Sequence, residues 1–226
     1  MNKILQMLKL QQELNDATNG LNWENGITKN RKIIDWRRCI YLECAELIDS
    51  YPWKHWKNID ANPDYDNIKI EIVDIWHFVM SEALRIYKIN HLGTIENIAS
   101  MVTNMSEFEN FSQDENSKVL DLYKQMELVE DVIKTAFCKN DINALVISFL
   151  TMSSKLNLKL PELYNLYIGK NILNKFRQEH GYKDGTYIKI WNGKEDNVVM
   201  QNILNSNSSI TPNELYRELE ENYKNE

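Results

Sequence analysis

The sequence is poor in the residues that interrupt helices. Its 226 residues include 7 glycines and 4 prolines, against roughly 7% and 5% in an average chain. A barrel or sandwich of many short strands needs those turn formers, so their scarcity argues against such folds and implies a predominantly helical protein. Cysteine is also sparse: Cys39, Cys44 and Cys138 are odd in number and lack C-x-x-C spacing. That argues against a disulfide framework and a cysteine zinc site, and favours a reducing, cytoplasmic setting. No apolar run approaches the roughly 18 residues that span a bilayer. The N-terminal stretch alternates polar and apolar residues rather than forming a signal-peptide core, so no membrane partner is expected. There is no Gly-rich phosphate loop and no nucleophile elbow, and His55, His77, His91 and His180 show no paired metal-ligand spacing.

What is present supports one large all-α domain spanning 1–226. Hydrophobic residues make up 43% of the chain, enough for a substantial core, and the net charge of −7 argues against a stable nucleic-acid complex. Helical patterns are expected at the N-terminus around Ile4, Leu5, Leu8 and Leu14, then over about 31–50, 67–89, 94–111, 117–138, 142–156 and 161–179. The stretch 181–197 reads as an irregular basic loop, and Thr211-Pro212-Asn213-Glu214 carries the N-cap, first-turn proline and capping-box glutamate of another helix start. Within this plan, about 31–89 forms an acidic core, 90–160 a helical scaffold and 161–197 a basic segment.

The acidic core contains two short pairs, Glu43-x-x-Glu46 and Glu71-x-x-Asp74. At i,i+3 spacing both acids of a pair lie on one helix face, so two packed helices could aim four carboxylates at a common point. Around the second pair, Ile68, Ile70, Ile72, Val73, Ile75, Trp76, Phe78, Val79 and Met80 make the helix apolar on nearly every side. A carboxylate buried there costs several kcal/mol unless a cation accompanies it. Hard divalent ions such as Mg²⁺ suit an all-oxygen set, while solvated stripes or salt bridges to Lys and Arg are the plainer explanation of either pair alone. Between Lys170 and Lys194, Lys170, Lys175, Arg177, Lys183, Lys189 and Lys194 oppose Glu179 and Asp184, a local excess of +4. Such a segment could grip phosphates that a metal bridges, or could simply be a solvated basic helix end.

Trp36 to Lys57, with Glu43-x-x-Glu46 and Pro52-Trp53-Lys54, together with Glu71-x-x-Asp74-x-x-His77-Phe78, resembles the all-α nucleoside triphosphate pyrophosphohydrolases. Gln12-x-x-Asn15 upstream and the run from Lys170 to Tyr187 downstream narrow the likeness to the dimeric dUTPases. The resemblance implies Mg²⁺-dependent hydrolysis of dUTP to dUMP and pyrophosphate, and of dUDP, by water attacking the β-phosphorus. It implies two or more Mg²⁺ ions, with Mn²⁺ as a substitute, held by the catalytic acids Glu43, Glu46, Glu71 and Asp74. Gln12, Asn15, Trp53, His77, Phe78 and Asn174 would meet the base. Lys54, Lys57, Lys170, Lys175, Arg177, Lys183 and Lys189 would meet the phosphates. A homodimer is implied as well. Another nucleotide such as dCTP as substrate, or a helical binding module without turnover, are the competing readings.

Overall fold

The computed structural model describes residues 2–57, 61–113, 118–138, 141–207 and 209–224. They form ten α-helices, one 3₁₀ turn and a two-residue hairpin, so the protein is all-α. None of the described helices is long and apolar enough to cross a membrane. By contacts the chain divides into two units, Met1–Leu163 and Tyr164–Glu226.

In the first unit, helix α1 (Asn2–Asn19) buries Ile4, Met7, Leu8, Gln11 and Asn15. It stops at Gly20, whose φ of 91° is a left-handed conformation that glycine adopts without strain. After a 3₁₀ turn at Trp23–Asn25 the chain doubles back: the Thr28 amide donates to the Lys32 carbonyl, and Ile27 bridges Ile33. Helix α2 (Trp36–Asp49) therefore starts later than the expected residue 31. Arg31 occupies the turn with φ 63°, and the Asp35 side chain caps the helix by accepting from the Arg37 amide. Helix α3 (Tyr65–Ile89), capped by Asp64, is buried on most of its circumference and packs along α2 and against α1.

One expected helix over 94–111 is two: α4 (Ile95–Thr103) and α5 (Ser106–Ser112). At the break the Thr103 hydroxyl turns back to the Ala99 and Ser100 carbonyls, and Met105 is extended at ψ 141°. Helices α6 (Leu122–Cys138) and α7 (Ile142–Lys155) pack on each other, and α7 also packs on α3, where Trp76 stacks on Phe149 at 4.7 Å between ring centroids.

The second unit holds most of α8 (Leu160–Glu179), strands β1 (Ile190–Trp191) and β2 (Lys194–Glu195), α9 (Asp196–Ser206) and α10 (Pro212–Lys224). Asn192 and Gly193, at φ 48° and 77°, make the tight turn that joins the antiparallel strands. Phe176 anchors the core of this unit, with the rings of His180, Trp191, Tyr216 and Tyr223 all within 5.7 Å of its centroid. The capping box at Thr211 and Glu214 forms as expected. Helix α9 was not expected: its sequence, with Asn197, Asn202, Asn205 and Ser206, has few strong helix formers.

Candidate active site

Helix α2 supplies Glu43 and Glu46, and α3 supplies Glu71 and Asp74. Between and beside the acids, Cys44 and Leu47 on α2 and Ile70, Ile72, Val73 and Ile75 on α3 are buried, which fixes the rotation of both helices. Carboxylate oxygens of Glu43, Glu46 and Glu71 come within 4.8 Å of one another. Glu71 is buried, Glu43 half-buried and Glu46 exposed, so the group lies at the edge of the core. Asp74 stands one turn beyond Glu71, and its charge acts on Glu43. Burial first, then repulsion from Asp74, Glu71 and Glu46, pushes the Glu43 carboxyl up to about 9. A set of oxygen donors crowded until one of them holds a proton is the donor chemistry that a hard divalent cation relieves. The residues present therefore fit Mg²⁺.

Beside the acids on α3, His77 and Ser81 meet α1. Gln11 Oε1 lies 2.6 Å from His77 Nδ1, and Gln11 Nε2 donates to Asn15 Oδ1 at 3.2 Å and to Ser81 Oγ at 3.1 Å. Asn15 Nδ2 donates to the same hydroxyl at 3.0 Å, and that hydroxyl donates to the His77 carbonyl at 2.8 Å. All four side chains are buried. Asn15 and His77 are thus brought together, but Gln12 is not with them. Its amide donates to Asp16 and Glu24 at 3.0 and 3.2 Å, on the neighbouring face of α1. Sequence reading overlooked Gln11 and Ser81; the signal was the pair of i,i+4 spacings, Gln11 to Asn15 and His77 to Ser81, which put each pair on one helix face. Phe78 stacks on Trp36 with ring centroids 5.8 Å apart, and Trp23 meets the other ring of that pair edge-on.

The loop after α2 carries Trp53, Lys54 and Lys57. Lys54 pairs with Asp49 and lies 5.9 Å from the Trp53 ring centroid. Trp53 packs edge-on to Trp56, and both are solvent-exposed. Lys54 and Lys57 line a cavity of about 230 Å³ with Asp49, Tyr51 and Asn62.

The remaining basic residues belong to the second unit and differ in their surroundings. Lys175 and Lys189 are exposed, at 3.9 Å from Glu179 and 3.7 Å from Glu195 respectively. Lys183 is exposed in the turn after α8. Lys170 and Arg177 are buried. Lys170 Nζ donates to Asn197 Oδ1 at 2.8 Å. Arg177 donates through Nε and an Nη to the two oxygens of Asp196, both at 2.7 Å, and through its other Nη to Asn174 Oδ1 at 3.2 Å. Burial raises the Asp196 carboxyl, but hydrogen bonds and charge from Arg177, with help from Tyr187 and the Asn197 amide, hold it below the ordinary range. Asp196 and Asn197 fall inside the segment 161–197 but just past Lys194, the last of its basic residues, and sequence reading did not single them out.

The profile of one protein family, described as dUTPase, matches residues 3–182. No curated protein matches the chain.

Proposed function

The chain belongs to the dUTPase family and is a hydrolase of dUTP, and on that premise we propose that it converts dUTP to dUMP and pyrophosphate in a Mg²⁺-dependent reaction, and dUDP to dUMP and phosphate. The observation that carries the reading is the approach of Glu43, Glu46 and Glu71 within 4.8 Å, with Asp74 one turn away. These four acids would hold two or more Mg²⁺ ions, or Mn²⁺ in their place. Bound there, the cation supplies charge for the phosphate oxygens and makes water more acidic.

The chain's own groups do the rest. With a cation bound and its own proton displaced, a Glu43 carboxylate oxygen would orient the attacking water and take its proton. The water oxygen bonds to the β-phosphorus as the bond from that phosphorus to the oxygen bridging to the α-phosphate breaks. That oxygen leaves with dUMP, so either a pyrophosphate or, from dUDP, a single phosphate is the second product. Lys54, Lys57, Lys170, Lys175, Arg177, Lys183 and Lys189 provide counter-charge for the phosphates. Asn15 and Asn174 carry amides whose donor and acceptor match the mixed edge of uracil, and Gln12 would join them only by leaving Asp16 and Glu24. Trp53, His77 and Phe78 form apolar walls, and a wall closed on the 5-position excludes thymine by its methyl group. The enzyme works as a homodimer in the cytoplasm, where Cys39 and Cys44 stay as the free thiols found here.

Product formation from dUTP, dUDP, dCTP, dTTP and UTP, with and without Mg²⁺, tests this reading. Selective Mg²⁺-dependent turnover of dUTP and dUDP is expected. Preference for dCTP would replace the substrate while keeping the acid centre, and turnover undiminished by chelation would overturn the metal assignment.

A further inference from the structure

Lys170, Asn174 and Arg177 recur at i, i+4 and i+7 along α8, so they form one stripe of that helix. Lys170 and Arg177 are both fastened to a single dipeptide at the start of α9. Asp196 takes Arg177 Nε and Nη, while Asn197 Oδ1 accepts from both Lys170 and Arg177, at 2.8 and 3.2 Å. Asn174 is tied in through Arg177. Asp196 is itself held rigidly: Tyr187 Oη and the Asn197 amide each donate to it at 2.8 Å, and it is fully buried in the first turn of α9. The Tyr182 ring lies 5.8 Å from the guanidinium carbon. A guanidinium is a planar fork, so two in-plane bonds to one carboxylate fix its plane and the direction of its Nη1 edge, which meets Asn174.

A buried ion pair is a poor source of net stability, because apolar residues of the same volume usually do as well. What such a pair supplies here is geometry. We propose that Asp196, which lies beyond the residues matched by the family profile, is a positioning residue for the hydrolysis: it aims Arg177, and through it Asn174, at the nucleotide. This rests on the reading that Arg177 meets the phosphates. Asp196 touches neither substrate nor reacting atoms; it acts through the guanidinium.

The experiment is a double-mutant cycle in the full chain with Arg177→Lys, Asp196→Asn and the double variant, reading kcat and KM for dUTP, Mg²⁺ affinity and thermal unfolding. Removing a contact that binds ground and transition states alike raises KM and spares kcat. Asp196→Asn is therefore expected to raise KM about 10-fold, as is Arg177→Lys, with Mg²⁺ affinity unchanged and the double variant no worse than either single one. Effects that multiply in the double variant would make Asp196 merely structural and overturn the proposal. A lower KM in Asp196→Asn would also overturn it, by showing that the carboxylate competes with phosphate. Asp196→Glu keeps the charge while displacing the fork; if Asp196→Asn does not fold, a folded Asp196→Glu with wild-type KM overturns the proposal in its place. Arg177→Lys without kinetic effect would instead sink the phosphate reading of Arg177 itself, a result distinct from a silent Asp196.

Discussion

Where α2 meets α3, three carboxylates crowd within 4.8 Å, and burial with mutual repulsion keeps Glu43 protonated to about 9. In the second unit, a carboxylate buried more deeply still, Asp196, stays ionised because Arg177 meets it through two bonds of 2.7 Å. The difference teaches how to read buried charge. A cluster that is complete in itself, such as Asp196 with Arg177, carries its own neutralisation and serves to hold side chains in place. A cluster of one sign is a liability to folding, and its presence at a helix contact makes sense when a cation from outside the chain completes it.

That contrast is broken most severely at the paired cluster. Asp196→Ala leaves Arg177 buried without its carboxylate and should cost about 3–5 kcal/mol in urea unfolding. The equivalent truncation in the acid cluster, Glu43→Ala, removes repulsion and should leave the metal-free protein at least as stable as wild type at pH near 8. A comparable loss from both variants would erase the distinction drawn between them.

pH sharpens the contrast because the two clusters have opposite signs. The Glu43 carboxyl is raised from an ordinary 4.5 to about 9, so its contribution is fully present below the unfolded value and is lost as pH rises through about 9. The Asp196 carboxyl is lowered from 3.8, so its contribution is present above that value and is lost as pH falls through the folded one. Metal-free protein should therefore melt at lower temperature as pH rises from about 6 to about 9, and saturating Mg²⁺ should restore most at the upper end, by about 2.7 kcal/mol at a hundredfold excess over Kd. A Mg²⁺ effect independent of pH in a thermal melt would separate the ion from these carboxylates.

The smallest effect belongs to a pair that is neither buried nor of one sign. Lys134 lies 3.3 Å from Asp131 with both side chains more than half exposed, and Lys134→Ala should change stability by less than about 0.5 kcal/mol in the same urea unfolding. A larger loss would mean that burial is not what divides strong charge clusters from weak ones in this protein.

The acid cluster was legible in the sequence because both of its causes are local. An i,i+3 acidic pair and an apolar helix around it sit within one window, and on that basis α3 was read from about Asn67, two residues inside its start, to Ile89. Helix boundaries that depend on side chains were less so: Asp35 starts α2 five residues later than the apolar pattern suggests, and Thr103 divides a continuous amphipathic stretch by bonding its own helix carbonyls. Gln12 and Gln11 differ by one position, and only the packing of α1 on α3 selects Gln11 for His77. The partner of Arg177 lies 19 residues downstream, past a hairpin and at the start of a helix of weak propensity. No periodicity connects such residues.

The most direct test of the acid centre is calorimetric titration of Mg²⁺ into the wild-type protein and Glu71→Gln, each without nucleotide and each checked for folding. Binding to the wild type that Glu71→Gln loses is the predicted result, since one buried carboxylate of the three is then neutral. Equal binding to both proteins, or none to the wild type, would contradict the assignment of Glu43, Glu46 and Glu71 as the metal centre.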